Sequence, residues 1–136
     1  MLKHIIMGMY TELIFGATLK KNTPIEVINT LMYMTGQEEE KPINFQLPEG
    51  RYEFMLKSGS YYFAVNTGIS KIWKDHIDNQ YHISTRSNIK NYNNEIETFL
   101  SWIKPYIEQG SGNREFYAIT IYEESSIPTI YYLQEE

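Results

Sequence analysis

At 136 residues, 42% hydrophobic and 21% charged, the chain has room for one domain with a sizeable core and too much apolar content for disorder. Twelve Lys and Arg against seventeen Asp and Glu give a formal net charge of -5, a field that repels polyanions and argues against general DNA or RNA binding. No cysteine is present, which rules out a disulfide framework, a thiolate metal site and a cysteine nucleophile.

The apolar N-terminal stretch is broken at Thr11 and Glu12, and no apolar run approaches the roughly 20 residues that cross a bilayer as a helix. Neither a signal peptide nor a membrane helix is expected, and a reducing, cytoplasmic setting fits. Twelve Tyr, six Phe and two Trp favour strands, because large rings with one polar tip suit sheet surfaces and interfaces. Met7 to Leu19 reads as a long first strand with Leu13, Phe15, Ala17 and Leu19 on one face. Glu12, inside that strand, reads as an outward-facing carboxylate, since burying it is costly without a cation.

Thr23-Pro24-Ile25-Glu26 offers a hydroxyl N-cap, a proline at the first helical position and a glutamate three residues after the cap. A helix is predicted to about Thr35, with Val27, Ile28, Leu31, Met32 and Met34 as its apolar stripe and Gly36 as its stop. Gln37 to Gly50 carries two prolines and the triplet Glu38, Glu39 and Glu40. It reads as an exposed, mobile connection touching the body through Ile43, Phe45 and Leu47.

Arg51 to Lys57 alternates Tyr52, Phe54 and Leu56 against Arg51, Glu53, Met55 and Lys57, and with Ser58-Gly59-Ser60 and Tyr61 to Thr67 it reads as a hairpin. Ser70, Ile72 and Lys74 mark another strand, Asp78-Asn79 a turn, and Tyr81, Ile83 and Thr85 alternate with His82, Ser84 and Arg86 in the next. After Asn88 the period becomes helical. Tyr92, Ile96, Phe99, Leu100, Ile103 and Ile107 share a face, Asn91 or Asn93 is the cap, Pro105 kinks or ends the helix near Trp102, and Gly110-Ser111-Gly112 closes it. Glu115 to Glu123 and Thr129 to Gln134 form the last strand pair. The order β-α-β-β-β-β-α-β-β predicts one α+β domain over residues 1–136, an antiparallel sheet of about six to seven strands with two helices on one face.

No pattern for catalysis stands out. His76 with Asp75 and Asp78 has the chemistry of a metal cluster, but in a turn it reads as solvated polar groups; no metal and no cofactor are expected. Ser58, Ser60, Ser84 and Ser87 lack a nucleophile-elbow context, phosphate-cradling glycine loops are missing, and Glu95, Glu97, Glu123 and Glu124 read as surface charges. The stretch Tyr81 to Tyr92 gathers donors. At a strand-to-helix junction Arg86 has the geometry to grip a phosphate or carboxylate, with Ser87, Asn88 and the next helix start beside it; capping of local backbone explains Ser and Asn equally well.

The strings TELIFGATLKKNTPIEVINTLMYM, YEFMLKSGSYYF, TRSNIKNYNNEIETFLSWIKPYI and FYAITIYEESSIPTIYY together resemble a family of short uncharacterised proteins carried by phages and prophages. The resemblance brings no activity with it. It implies a context, an accessory protein acting against host immunity by binding a host protein or by sequestering a nucleotide-derived signal.

The leading expectation is therefore a non-enzymatic binding protein for a small anionic, nucleotide-like ligand. Tyr61, Tyr62, Trp73, Tyr81 and Tyr92 would stack on a base, while Lys57, Ser58, Ser60, Arg86 and Asn88 would meet phosphate or ribose. The rival is an acidic inhibitor of a host defence protein such as a nuclease, acting through Glu38, Glu39, Glu40, Glu123 and Glu124. A nucleotide-cleaving enzyme with His82 as general base comes third. Exposed Tyr and Ile on the last hairpin suggest a homo-oligomer.

Overall fold

Thr, Leu, Ile and Phe make up most of the run that forms the central strand β1, Thr11–Thr18, of the computed structural model, which describes residues 10–59, 69–110 and 115–134. Four further strands join it: β2 (Lys71–Asp75), β3 (Gln80–Ile89), β4 (Phe116–Tyr122) and β5 (Thr129–Tyr132). Their spatial order is β2-β3-β1-β4-β5, every pair antiparallel. Helix α1 spans Ile25–Met34 and helix α2 spans Glu95–Ile103. Among the described residues the protein is thus an α+β fold with one five-stranded antiparallel sheet and two α-helices.

Strand alternation decides which side chains meet the helices. Leu13 and Phe15 of β1, Ile72 of β2, Ile83 of β3 and Ala118 of β4 point to one face and are buried with Val27, Ile28, Leu31 and Met34 of α1 and Ile96, Phe99, Leu100 and Ile103 of α2. Phe15 forms the centre of this layer, edge-on to Phe99 at 5.3 Å and to Tyr117 at 6.5 Å between ring centroids. A bulge between Phe116 and Ala118 turns Tyr117 inward.

The segment Arg51 to Lys57 is not a strand. Arg51–Phe54 is a 3-10 helix, and the buried residues Tyr52, Met55 and Leu56 follow a three- and four-residue spacing that the apparent alternation concealed. Its start is fixed locally. Gly50 takes φ 103°, a conformation that favours glycine, and its amide donates to Glu53 Oε2 at 3.2 Å. The returning half of the expected hairpin, Tyr61 to Thr67, lies outside the described residues.

The two helix starts are capped differently. The Thr23 hydroxyl donates back to the Lys20 carbonyl at 2.6 Å and leaves α1 without a side-chain cap. At α2, Asn91 Oδ1 accepts the Ile96 amide at 2.9 Å across a short turn in which Asn93 and Asn94 take left-handed φ values of 55° and 57°. Gly36, at φ 85°, ends α1 as predicted. Pro105 sits in the 3-10 turn Lys104–Tyr106 that follows α2. Ile107 is not helical; it is extended and bridges Leu19. Within the connection, Leu47 is buried and Phe45 packs on the core, whereas Ile43 is fully exposed.

Candidate functional site

The second face of the sheet carries Glu12, Ile14, Gly16 and Thr18 of β1, opposite Asn88, Arg86, Ser84 and His82 of β3. Glu12 is not outward-facing: it is 0% exposed, in register with Asn88 and with Ile121 of β4. Toward β4 and β5 this face is apolar, with Phe116 and Ile130 exposed. A shallow concavity of about 200 Å³ between Ile14, Gly16, Phe116 and Ile119 lies there, next to the edge strand whose Tyr and Ile motivated the oligomer expectation.

Polar chemistry concentrates at the end of the sheet where β2 turns into β3. Asp75 Oδ1 accepts the Ile77 amide at 2.8 Å, Asp78 Oδ1 accepts the Gln80 amide at 2.9 Å, and Asn79 takes φ 60°. These bonds set a tight turn of the kind that Asp and Asn favour. His82 then comes into register with Trp73 across the hairpin and with Thr18 on β1. Its Nδ1 is 2.8 Å from Thr18 Oγ1, its Nε2 is 2.8 Å from Asp78 Oδ2, and the Trp73 ring stacks on it at 5.6 Å and 28°. Burial pushes the Asp78 carboxyl up, but the Gln80 amide, His82 and the charge of Lys21 outweigh it and hold the group below its ordinary value.

On the helix-bearing side of the same hairpin end, Lys20, Lys21 and Lys74 line a concavity of about 160 Å³ together with Thr23, Asn79, Gln80 and Tyr81. The Lys74 ammonium stands 5.8 Å from the centre of the Tyr81 ring. The turn after β1 is anchored from both sides: the Leu19 amide donates to the Tyr81 carbonyl at 2.9 Å and the Lys20 amide to the Tyr106 carbonyl at 2.8 Å. Among the described residues no carboxylate lines this concavity, although the molecule is acidic overall.

The residues expected to bind a ligand together do not share one site. Trp73, Arg86 and Asn88 lie on the second face, and Tyr81 lies on the helix-bearing face. Tyr92 sits under the Arg51 guanidinium at 4.2 Å, and Arg51 is ion-paired with Glu95. Lys57 faces the Phe54 ring at 4.9 Å and lines a third concavity of about 340 Å³ with Tyr33, Glu38, Glu39 and Glu53. Ser58 Oγ accepts the Ser70 amide at 2.8 Å and is engaged in joining two loops. Ser60, Tyr61 and Tyr62 lie outside the described residues. The strand-to-helix junction begins later than expected, because β3 continues to Ile89; Arg86 is a mid-strand residue, and Ser87 points inward, buried, with no hydrogen-bond partner for its hydroxyl among the described residues.

The acidic groups are also dispersed. Gln37, just before Glu38, exchanges hydrogen bonds with the backbone of Ile72 in β2, whereas the Glu123 amide donates to the Tyr10 carbonyl beside β1 and β4. Strands β3 and β1 separate the two clusters. Sequence reasoning missed Lys20, Lys21 and Thr18, and it paired the aspartates with His76 instead of His82. The available signal was the alternation that puts Thr18, Trp73 and His82 on one face once the register is known. Comparison with known protein families, with characterised proteins and with solved structures finds no match.

Proposed function

We propose that this protein is a binding protein for a small anionic ligand of nucleotide type, held at the Lys20, Lys21 and Lys74 concavity. The observation that carries this reading is the gathering of three lysines and one aromatic plate around a recess that no carboxylate lines among the described residues, in a chain of net charge -5. A volume of about 160 Å³ is below the roughly 300 Å³ at which sites begin to enclose a whole small molecule. The recess suits a phosphate-bearing end, with Tyr81 beside it to pack against a sugar or base. The resemblance to short phage-borne proteins extends the proposal to sequestration of a nucleotide-derived immune signal in a host cytoplasm.

Calorimetric titration with a cyclic dinucleotide, ADP-ribose and inorganic phosphate tests it. Heat is expected with at least one nucleotide, and Lys21→Glu with Lys74→Glu should weaken binding by at least about tenfold, or about 1.4 kcal/mol. Silence with all three ligands, or unchanged affinity in the double variant, rejects the reading.

A second reading draws support from the recess of about 340 Å³ in which Glu38, Glu39 and Glu53 outnumber Lys57, a net negative surface suited to a cationic group of a defence protein. Charge reversal at Glu38 and Glu39 would abolish that activity and leave nucleotide binding intact.

A further inference from the structure

On the second face, the β2–β3 turn assembles a donor set that the anion recess does not use. One carboxylate oxygen each from Asp75 and Asp78 and one ring nitrogen of His82 lie within 4.8 Å of one another, all three residues half-buried. Donors sharing one small divalent ion at about 2.1 Å stand about 3 to 3.5 Å apart, so modest side-chain rotation brings the three onto a common centre. We propose that Asp75, Asp78 and His82 bind a divalent first-row transition metal, with Thr18 as the positioning residue of the imidazole.

The imidazole is fixed on three sides. Thr18 Oγ1 holds Nδ1 at 2.8 Å, Trp73 covers one ring face, and Nε2 is aimed at Asp78 Oδ2 at 2.8 Å. A hydroxyl both donates and accepts, so Thr18 serves the apo tautomer, in which Nε2–H donates to Asp78, and equally the metal-bound one, in which Nδ1–H donates to Thr18. A hydrogen-bonded partner on the far nitrogen is the usual companion of a metal-binding histidine. The carboxylates are oriented as well, because the Ile77 and Gln80 amides occupy Oδ1 of Asp75 and of Asp78 and Oδ2 of Asp78 meets the imidazole.

A His82–Asp78 hydrogen bond engages two of the three groups. Asp75 serves the turn through Oδ1 and brings a second carboxylate beside Asp78, so a cation at this point meets two anionic donors as well as the imidazole. One imidazole and two carboxylates suit Zn²⁺ or Mn²⁺ better than the all-oxygen preference of Ca²⁺ or Mg²⁺, and three protein ligands leave positions for water or an anion.

The test uses the untagged full chain, stripped with chelator and titrated with Zn²⁺ by calorimetry, then with Mn²⁺ while ¹⁵N–¹H spectra are recorded. One Zn²⁺ per chain is expected, and Mn²⁺ should broaden the Trp73 indole resonance before that of Trp102. Asp75→Asn keeps the acceptor for the Ile77 amide and so keeps the turn. It and His82→Gln should each reduce Zn²⁺ affinity at least about tenfold, and Thr18→Val by about tenfold with the fold unchanged. No uptake, affinity unchanged in Asp75→Asn and His82→Gln, or Mn²⁺ broadening centred on Tyr33 and Phe54 beside the acidic recess would overturn the assignment.

Discussion

Glu53 shows how one side chain can hold a local fold that its sequence neighbourhood conceals. Its carboxylate accepts from the Gly50 amide, the Tyr33 hydroxyl at 3.0 Å and the Lys41 ammonium at 3.2 Å. The Gly50 amide, with Tyr33 and Lys41, holds its carboxyl below the ordinary value against the effect of desolvation, while the same contact pushes the Tyr33 hydroxyl up. A carboxyl lowered on folding contributes stability that is fully present above its ordinary value of about 4.3 and is lost as pH falls through the folded value. Glu53→Gln should therefore be less stable than the parent near neutral pH, and the gap should close in thermal melts taken below about pH 4. A gap independent of pH would assign the loss to packing instead. Residue chemistry of this kind was only half legible beforehand: Glu53 reads as the charged partner in an alternating strand until Gly50 is seen at positive φ.

At the scale of elements, the same residue type has opposite weight according to the face it occupies. Phe99 of α2 is 0% exposed and edge-on to Phe15, whereas Phe116 of β4 is 58% exposed on the second face. Phe99→Ala should cost about 3 to 5 kcal/mol in urea unfolding, from lost burial and the cavity left behind. Phe116→Ala should stay within about 0.5 kcal/mol, as surface substitutions do. Both helices and three of the five strands were readable from periodicity, since apolar stripes such as Ile96, Phe99, Leu100 and Ile103 have one stable way to be buried. β4 and β5 were readable from their Tyr- and Ile-rich composition and the turn between them. Arg51–Phe54 was not, because over four residues a 3-10 turn and a strand give overlapping apolar patterns, and the capping expected of Thr23 failed because Pro24 occupies the cap position and leaves the Thr23 side chain one residue outside the helix, donating to the Lys20 carbonyl.

For the whole molecule, net charge and local charge point in opposite directions. The overall -5 repels an anion at long range, so any binding at Lys20, Lys21 and Lys74 rests on short-range attraction inside the recess. Screening shortens from about 10 Å at 0.1 M salt to about 3 Å at 1 M. Affinity for a phosphate-bearing ligand should accordingly fall several-fold over that range in the parent protein and change little in Lys74→Glu, measured by calorimetry at matched pH. A parent affinity insensitive to salt would assign binding to apolar contacts with Tyr81. Among the described residues no helix is long and apolar enough to cross a membrane.

The amino-acid sequence alone determined the class of fold, the helix faces and the absence of thiol chemistry, because hydrophobic periodicity and composition are local properties that burial enforces. Only the tertiary structure decided which polar residues meet. Lys20 and Lys21 come to line one recess with Lys74, and Thr18 reaches His82, because β1 pairs with β3 and β3 with β2, and the first of those pairings joins segments some 60 residues apart in the chain. The same register separates Tyr81 from Trp73 and sets His82 beside Thr18 and Trp73. A one-residue slip would exchange the faces on which those side chains meet.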